Sequence, residues 1–460
     1  MSYPYEDRFD VIRGLPEHGR PRDEILADVR WMGEQEDRSW NQGHCSGTMY
    51  CGDVEHYAFL NQVFSAFSHV NALQRDICPS ITKFEAEITA MTLDLFHGEA
   101  AEDPCGSITG GGTDSILTAM LVYRDQARAE RGITAPNFIM PTTAHPAFDK
   151  AGHLFGIEVR KAPIDPETTL VDVDWVADHI DANTVALVGS AGNYPYGTID
   201  DIAALSSLAL EHGIGLHVDG CLGGFILPWG QQLGYDIPVF DFRLPGVTTI
   251  SADTHKYGYG PKGTSVLLFR DKKLRRLQYY ARPDWKGGMY VSPGMGGSRS
   301  GGLIAATWAV MVSLGRSGYL EKARRVFETA FAMQAHVKKH PELRMMGSPT
   351  FCFSFTSDEF DIYHVNDFMK TRGWRFNGQQ FPSAIHMCVT GPQTKAGVAE
   401  RFGTDLAEAV AYAKAPPQPV PSSGALYGGQ GSRATTAGLD MDRLRERLKD
   451  YIDATLEQPR

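Results

Sequence analysis

Along residues 22–36 (RDEILADVRWMGEQE) apolar side chains recur every three or four positions against a charged background, which predicts an amphipathic helix. A second helical pattern covers 53–97 and breaks near Cys78-Pro79, as expected where proline removes a backbone donor. These segments form an opening helical arm over 1–80. From about residue 105 the rhythm changes. Short apolar runs, namely NFIMP, VALVGS (185–190), GLHVDG (215–220), TTISAD (248–253) and TSVLLF (264–269), alternate with longer helical stretches. That alternation predicts an α/β domain with a largely parallel sheet, spanning 81–325. Beyond the apolar helix near 303–314, EKARRVFETAFAMQAHVKKH reads as a long helix leading into a smaller α+β domain, 326–460, with strand-like FCFSFTS and HMCVT. PPQPVPSSG (416–424) reads as an extended linker before a last helix, MDRLRERLKDYIDATLE.

Composition narrows the class without naming a function. The 460 residues are 42% hydrophobic and 22% charged, ordinary soluble usage, and the formal net charge of −11 argues against a general nucleic-acid binder. Seven cysteines (45, 51, 78, 105, 221, 352 and 388) contain no C-x-x-C pair, and their odd number fits reduced thiols in cytoplasm better than a disulfide framework. The start, MSYPYEDRFD, lacks a signal-like apolar core, and the run SGGLIAATWAVMVSLG (300–315) is short for a membrane span. The expectation is a soluble chain without stable membrane insertion.

Chemistry gathers at the predicted strand ends, where open α/β sheets bind ligands. CGSITGGGTDSI places glycines, Thr113 and Ser115 just before a helix. Such a turn can aim N–H groups at a phosphate, although a glycine turn capped by Asp114 explains the same residues structurally. Asp219 closes the run GLHVDG, where it could hold a proton on an aromatic cofactor's ring nitrogen or simply cap a turn. His145, in TTAHPAFDK, could lie on a flat ring or be a hydrogen-bonded structural histidine. Lys256 and Lys262, in SADTHKYGYGPKG, would suit a solvated loop. A buried lysine with cationic neighbours can instead form a Schiff base with an aldehyde. Together these residues supply what pyridoxal 5'-phosphate needs: a phosphate cup, a stacking group, a carboxylate and an aldehyde-binding lysine. His212 and His217 are spaced too unhelpfully to suggest a metal site, and neither H-E-x-x-H nor G-x-S-x-G occurs.

The blocks GGTDSI, AHPAFDKA, HVDGCLGGF, SADTHKYGYGPKGTS and GSRSGG resemble the sphingosine-1-phosphate lyases of the group II pyridoxal-phosphate decarboxylase-like superfamily, over about residues 40–430. The resemblance implies the aspartate-aminotransferase-like fold type I and a homodimer with active sites at the subunit interface. It makes Lys256 the aldehyde-binding lysine, Asp219 the pyridinium partner and His145 the stacking residue. Gly112, Thr113 and His255 would hold the cofactor phosphate, with Ser298 approaching from the neighbouring subunit. Tyr50, Asn71, Tyr194 and Lys262 match positions for substrate phosphate binding or proton transfer. Gln74, in NALQRD, stands where the family commonly has histidine, which predicts either a weaker hold on a phosphorylated head group or the use of a variant head group. GSRSGG replaces the more usual GSRPGG.

The implied reaction is retro-aldol cleavage between C2 and C3 of a phosphorylated long-chain base, releasing a fatty aldehyde and phosphoethanolamine. The alternatives are an amino-acid decarboxylase or other aldolase-type lyase on the same scaffold, and a non-catalytic lipid-phosphate-binding protein.

Overall fold

In the computed structural model, residues 3–425 and 441–457 are described. The chain opens with α1 (Arg22–Asp37) and α2 (Val54–Phe67), and α3 (Pro79–Leu95) carries it from the arm into the large domain. Asp53 caps α2 by accepting from the N–H groups of Glu55 and His56, and Pro79 opens α3, where its fixed φ suits a first turn. α1 buries none of its residues.

The large sheet is assembled from β1 (Cys105–Thr109), α4 (Gly112–Arg131), β2 (Asn137–Pro141), α5 (Ala147–Phe155), β3 (Glu158–Ala162), α6 (Val173–Asp178) and β4 (Thr184–Ser190). It continues through α7 (Ile202–His212), β5 (Gly215–Asp219), α8 (Leu227–Gln232), β6 (Thr249–Ala252) and β7 (Ser265–Phe269). Its order is β1-β7-β6-β5-β4-β2-β3. Strands β1 to β6 run in one direction, and β7, inserted between β1 and β6, runs antiparallel to both. The apolar runs of β4 to β7 are buried at every position, as strands covered on both faces require.

Two strands of this sheet lack that apolar signature. β1 contains Gly106, where a side chain would meet Leu268 and Thr89 at under 3 Å, so close packing demands a residue that weakens the strand pattern. β3 (EVRKA) is an edge strand whose charges guard the open edge.

After α9 (Lys272–Arg276), a two-stranded hairpin of β8 (Tyr280–Arg282) and β9 (Tyr290–Ser292) leads into α10 (Gly301–Val337). Gly315 (φ 56°) divides α10 into an apolar and a charged segment, the two helices expected there. Among the described residues α10 is the one helix long and apolar enough to cross a membrane, yet Ile304, Ala305, Ala306 and Val310 lie in the core. The smaller sheet, ordered β10-β11-β13-β12, comprises β10 (Arg344–Met345), β11 (Cys352–Thr356), β12 (Asn377–Gln379) and β13 (Ala384–Cys388). Helices α11 (Tyr363–Thr371) and α12 (Val398–Lys414) pack together beside it.

The proline-rich stretch is irregular, but its end is not a free spacer. Asp367 of α11 accepts from the N–H groups of Ser422 (2.6 Å) and Ser423 (2.8 Å), and the Ser423 hydroxyl donates to the Tyr363 carbonyl. The last helix forms as expected, as α13 (Met441–Leu456). The chain between, residues 426–440, lies outside the described residues, as does the far limit of the family resemblance near 430.

Candidate active site

The parallel strands all end on one rim, so each residue just past a carboxyl end faces the same crevice. β1 leads into the Gly110–Gly112 turn, β2 into the His145 loop, β4 into Tyr194, β5 ends at Asp219 and β6 runs into Asp253–Lys256. The 253–264 loop is held tight by a Gly260 N–H to Thr254 carbonyl bond (2.8 Å) and a Thr254–Thr264 hydroxyl contact (2.8 Å). Both lysines of the sequence motif therefore sit on one fixed turn.

Lys256 Nζ lies 2.8 Å from Asp253 Oδ2, in a site where Asp253 keeps only 2% of its side-chain surface and Lys256 24%. Burial opposes the lysine's charge, but Asp253, supported by Tyr50 and Cys221, outweighs it and holds the ammonium well above the usual lysine range. Asp253 is correspondingly held below the usual carboxylate range: burial pushes it up, and Lys256 and His255 more than offset that. His255 directs Nε2 toward Asp253 at 3.6 Å and places Nδ1 on the Thr264 carbonyl at 2.5 Å.

Asp219 is buried, accepting from the Cys221 N–H (3.0 Å) and the Ser251 hydroxyl (3.4 Å). His145 Nδ1 accepts the Ala147 N–H at 3.1 Å, which fixes its ring just ahead of α5. Burial lowers the His145 pKa, with Asp219 opposing and Lys256 adding to the fall, so its ring, Asp219 and Lys256 share one electrostatic environment. His217 plays no part in the crevice, since its two nitrogens face Thr249 and Ser251 inside the sheet.

Tyr50 arrives from the arm and is secured by the small sheet's end. Gly391 donates its N–H to the Tyr50 carbonyl, and Thr390 donates to the Met49 carbonyl. Its ring sits edge-on to Tyr257 (5.0 Å) and under Lys262 Nζ (4.8 Å). Lys262 is exposed at the mouth of the crevice, yet partial desolvation by its surroundings and the charge of Lys256 push its pKa down to about 8. Tyr194 stacks on buried His386 at 4.4 Å, so both lobes contribute to the crevice.

Asn71, Gln74 and Ser298 assemble at a second place. Asn71 donates to the Ser298 hydroxyl at 3.0 Å and accepts from the Leu73 and Arg299 N–H groups. Gln74 is exposed, its N–H on the Asn71 carbonyl. The structure thus brings Lys256, Asp219, His145, His255, Gly112, Tyr50 and Lys262 to one crevice, and pairs Asn71 with Ser298 of its own chain. Asp253 escaped the sequence reading. An acid inside a strand-end block, one helical turn before the lysine, was the signal that could have found it.

These residues fit pyridoxal phosphate. A Cβ at Gly112 would stand 2.8 Å from Asp253 Oδ2 and 2.9 Å from Cys221 Sγ, so the start of α4 lies against the lysine pair, and its N-cap, Gly111, makes no side-chain capping bond. Asp114 accepts the Gly110 N–H at 2.7 Å, so the turn is capped as well as open to a phosphate. The buried Asp253 Oδ1 has no hydrogen-bond partner within the protein, the mark of a polar site made for more than folding. Gly112→Ala is expected to weaken cofactor affinity at least about tenfold and to destabilise the fold by roughly 1–3 kcal/mol, as overpacking does. Cofactor titration and thermal melting check both.

A pyridoxal-dependent decarboxylase conserved domain matches residues 10–355. Sphingosine-1-phosphate lyase of Drosophila melanogaster is 44% identical over 416 residues, covering 90% of this chain and 76% of that protein. The solved sphingosine-1-phosphate lyase of Burkholderia pseudomallei is 59% identical with a TM-score of 0.93, covering 99% of this chain and 100% of that one. The chain belongs to the sphingosine-1-phosphate lyase family. Glutamate decarboxylase of Lactobacillus brevis, 21% identical with a TM-score of 0.75 over 89% of this chain and 97% of that one, shares the fold. Membership in the lyase family carries fold type I and a pyridoxal phosphate cofactor, as the sequence motifs implied.

Proposed function

We infer that this chain cleaves the C2–C3 bond of sphingoid base 1-phosphates in a retro-aldol reaction, giving a fatty aldehyde and phosphoethanolamine. The observation that carries the reading is the 59% identity to a solved sphingosine-1-phosphate lyase along 99% of the chain. Bound pyridoxal phosphate supplies an electron sink for the pair released when the bond breaks. The protein's own work is binding, orientation and proton control.

In this reading Gly112, Thr113 and His255 hold the cofactor phosphate at the start of α4, His145 lies on the ring face, and Asp219 keeps the ring nitrogen protonated. Lys256 makes the covalent attachment. Lys262 and Tyr50 hold the substrate phosphate, and one of them, or Tyr194, moves the proton at the C3 hydroxyl. The 4.8 Å approach of Lys262 to the Tyr50 ring supports their joint role. Asn71, Gln74 and Ser298 complete the site across a homodimer. The exposed Trp285, Met289 and Val291 on the neighbouring hairpin support such an interface. The seven cysteines, all unpaired, support a cytoplasmic setting. The division into an arm (1–80), a cofactor-binding domain (81–325) and a small domain (326–460) is part of the same proposal, supported by the separate seven-stranded and four-stranded sheets.

Because Lys262 titrates at about 8, its charge is present below that pH and lost above it. KM for a phosphorylated base is expected to rise by on the order of tenfold as pH climbs past this value, the range of one charge-assisted hydrogen bond. Lys262→Met should raise KM at neutral pH and remove the inflection, measured by steady-state kinetics against pH.

The function is tested by mass-spectrometric product analysis with dihydrosphingosine 1-phosphate and its unphosphorylated parent. Aldehyde from the phosphorylated base supports the lyase. Carbon dioxide from an amino acid without any aldehyde would point to the decarboxylase alternative. Gln74→His is expected to lower KM for the phosphorylated base only.

A further inference from the structure

We propose that Asp253 is a positioning residue for Lys256: its carboxylate anchors the ε-ammonium beside Gly112, so the lysine captures the cofactor aldehyde only after giving up that ion pair. This inference rests on the proposed role of Lys256 as the aldehyde-binding lysine.

Geometry argues for it from three sides. Asp253 Oδ2 lies 2.8 Å from Lys256 Nζ, closer than any distance a water-bridged pair would need, and 3.6 Å from His255 Nε2. Both carboxylate oxygens face the start of α4, within 2.9 Å of where a Cβ on Gly112 would stand, so glycine is what admits the acid there. Oδ1 is buried without a partner, so the charge of Asp253 is matched almost entirely through Oδ2. A carboxylate with 2% side-chain exposure is costly unless paired, and Lys256 is the full cation in direct contact with it. The pair therefore fixes both the position and the protonation of the amine.

The groups facing Lys256 divide into two opposing sets. His255 and Lys262 on its own loop and His145 beyond β2 favour the neutral amine, as does burial. Tyr50 from the arm and Cys221 beyond β5 favour the charged form, and the Cys388 thiol at the end of β13, lowered chiefly by Cys352, is lowered further by Lys256. Asp253 acts most strongly against burial and tips the balance to the ammonium. Capture of an aldehyde needs the neutral amine, whose lone pair attacks the carbonyl carbon while water leaves. The ammonium must first lose a proton to solvent, which breaks the contact with Asp253.

The test uses the full-length protein freed of cofactor, with pyridoxal phosphate as probe and the visible absorption of covalent attachment as readout. In the wild type the capture rate is expected to rise about tenfold per pH unit between roughly pH 7 and pH 9, as one-proton control dictates. Asp253→Asn should raise the rate at pH 7 by at least about tenfold and move the pH dependence to lower pH by one unit or more. A merely structural acid would change the melting temperature and leave that dependence in place, which would overturn the proposal. A wild-type rate flat across this range would also overturn it, whether or not the variant folds. Lys256→Ala separates the two layers: if it still develops the absorption, the underlying role of Lys256 fails, and if it does not, the Asp253 results speak for themselves.

Discussion

Lys256→Ala is expected to abolish covalent capture of the cofactor and to cut aldehyde release by at least about 10³-fold, the scale on which removing a nucleophile acts. The loss should be chemical before it is structural, because Lys256 borders the crevice with 24% of its side chain exposed rather than sitting in the apolar core. A structural component is expected too. Truncation leaves Asp253 buried and uncompensated, which costs about 3–5 kcal/mol when one partner of a buried pair is removed. Adding Asp253→Asn to the alanine variant should recover part of the melting temperature and none of the activity. Spectra, thermal melts and aldehyde assays on the single and double variants check each part. Full recovery of activity in the double variant would contradict the assignment.

Asp219→Asn is expected to lower kcat by on the order of 10²–10³-fold while leaving KM and stability close to those of the native chain, the range seen when one preorganised electrostatic group is lost. The reason lies in what the substitution keeps. Asparagine has the same shape, and its carbonyl oxygen can still accept from the Cys221 N–H and the Ser251 hydroxyl. Only the negative charge at the end of β5 disappears, and with it the group that would hold a proton on the cofactor ring and strengthen the electron sink. A shift in the bound cofactor's absorption should accompany the fall in kcat. Unchanged turnover with unchanged spectra would show that the ring nitrogen does not face Asp219.

Much of this arrangement was legible in the sequence, for identifiable reasons. Central strands such as VALVGS and GLHVD are buried on both faces, so their apolar runs stand out, and their ends announce where ligands bind. What stayed hidden was hidden by local exceptions. Gly106 and the charges of EVRKA mask β1 and β3, because close packing and edge protection override the apolar pattern. Asp253 looked like a strand-end residue in a lysine motif, since nothing in one dimension shows that its carboxylate turns back onto Lys256 and Gly112. Nor could spacing reveal that Tyr50 is braced by Thr390 and Gly391, about 340 residues away. Gln74 was legible as a departure from its relatives, and the structure adds that it lies in the open beside the Asn71–Ser298 pair.

The most direct test of the central claim is borohydride reduction of the cofactor-loaded protein, followed by peptide mapping. The pyridoxyl group should be found on the peptide carrying Lys256 and, when reduction follows addition of dihydrosphingosine 1-phosphate, should decline there as the substrate amine takes the lysine's place. A label on Lys262, on another lysine, or on none would contradict the account.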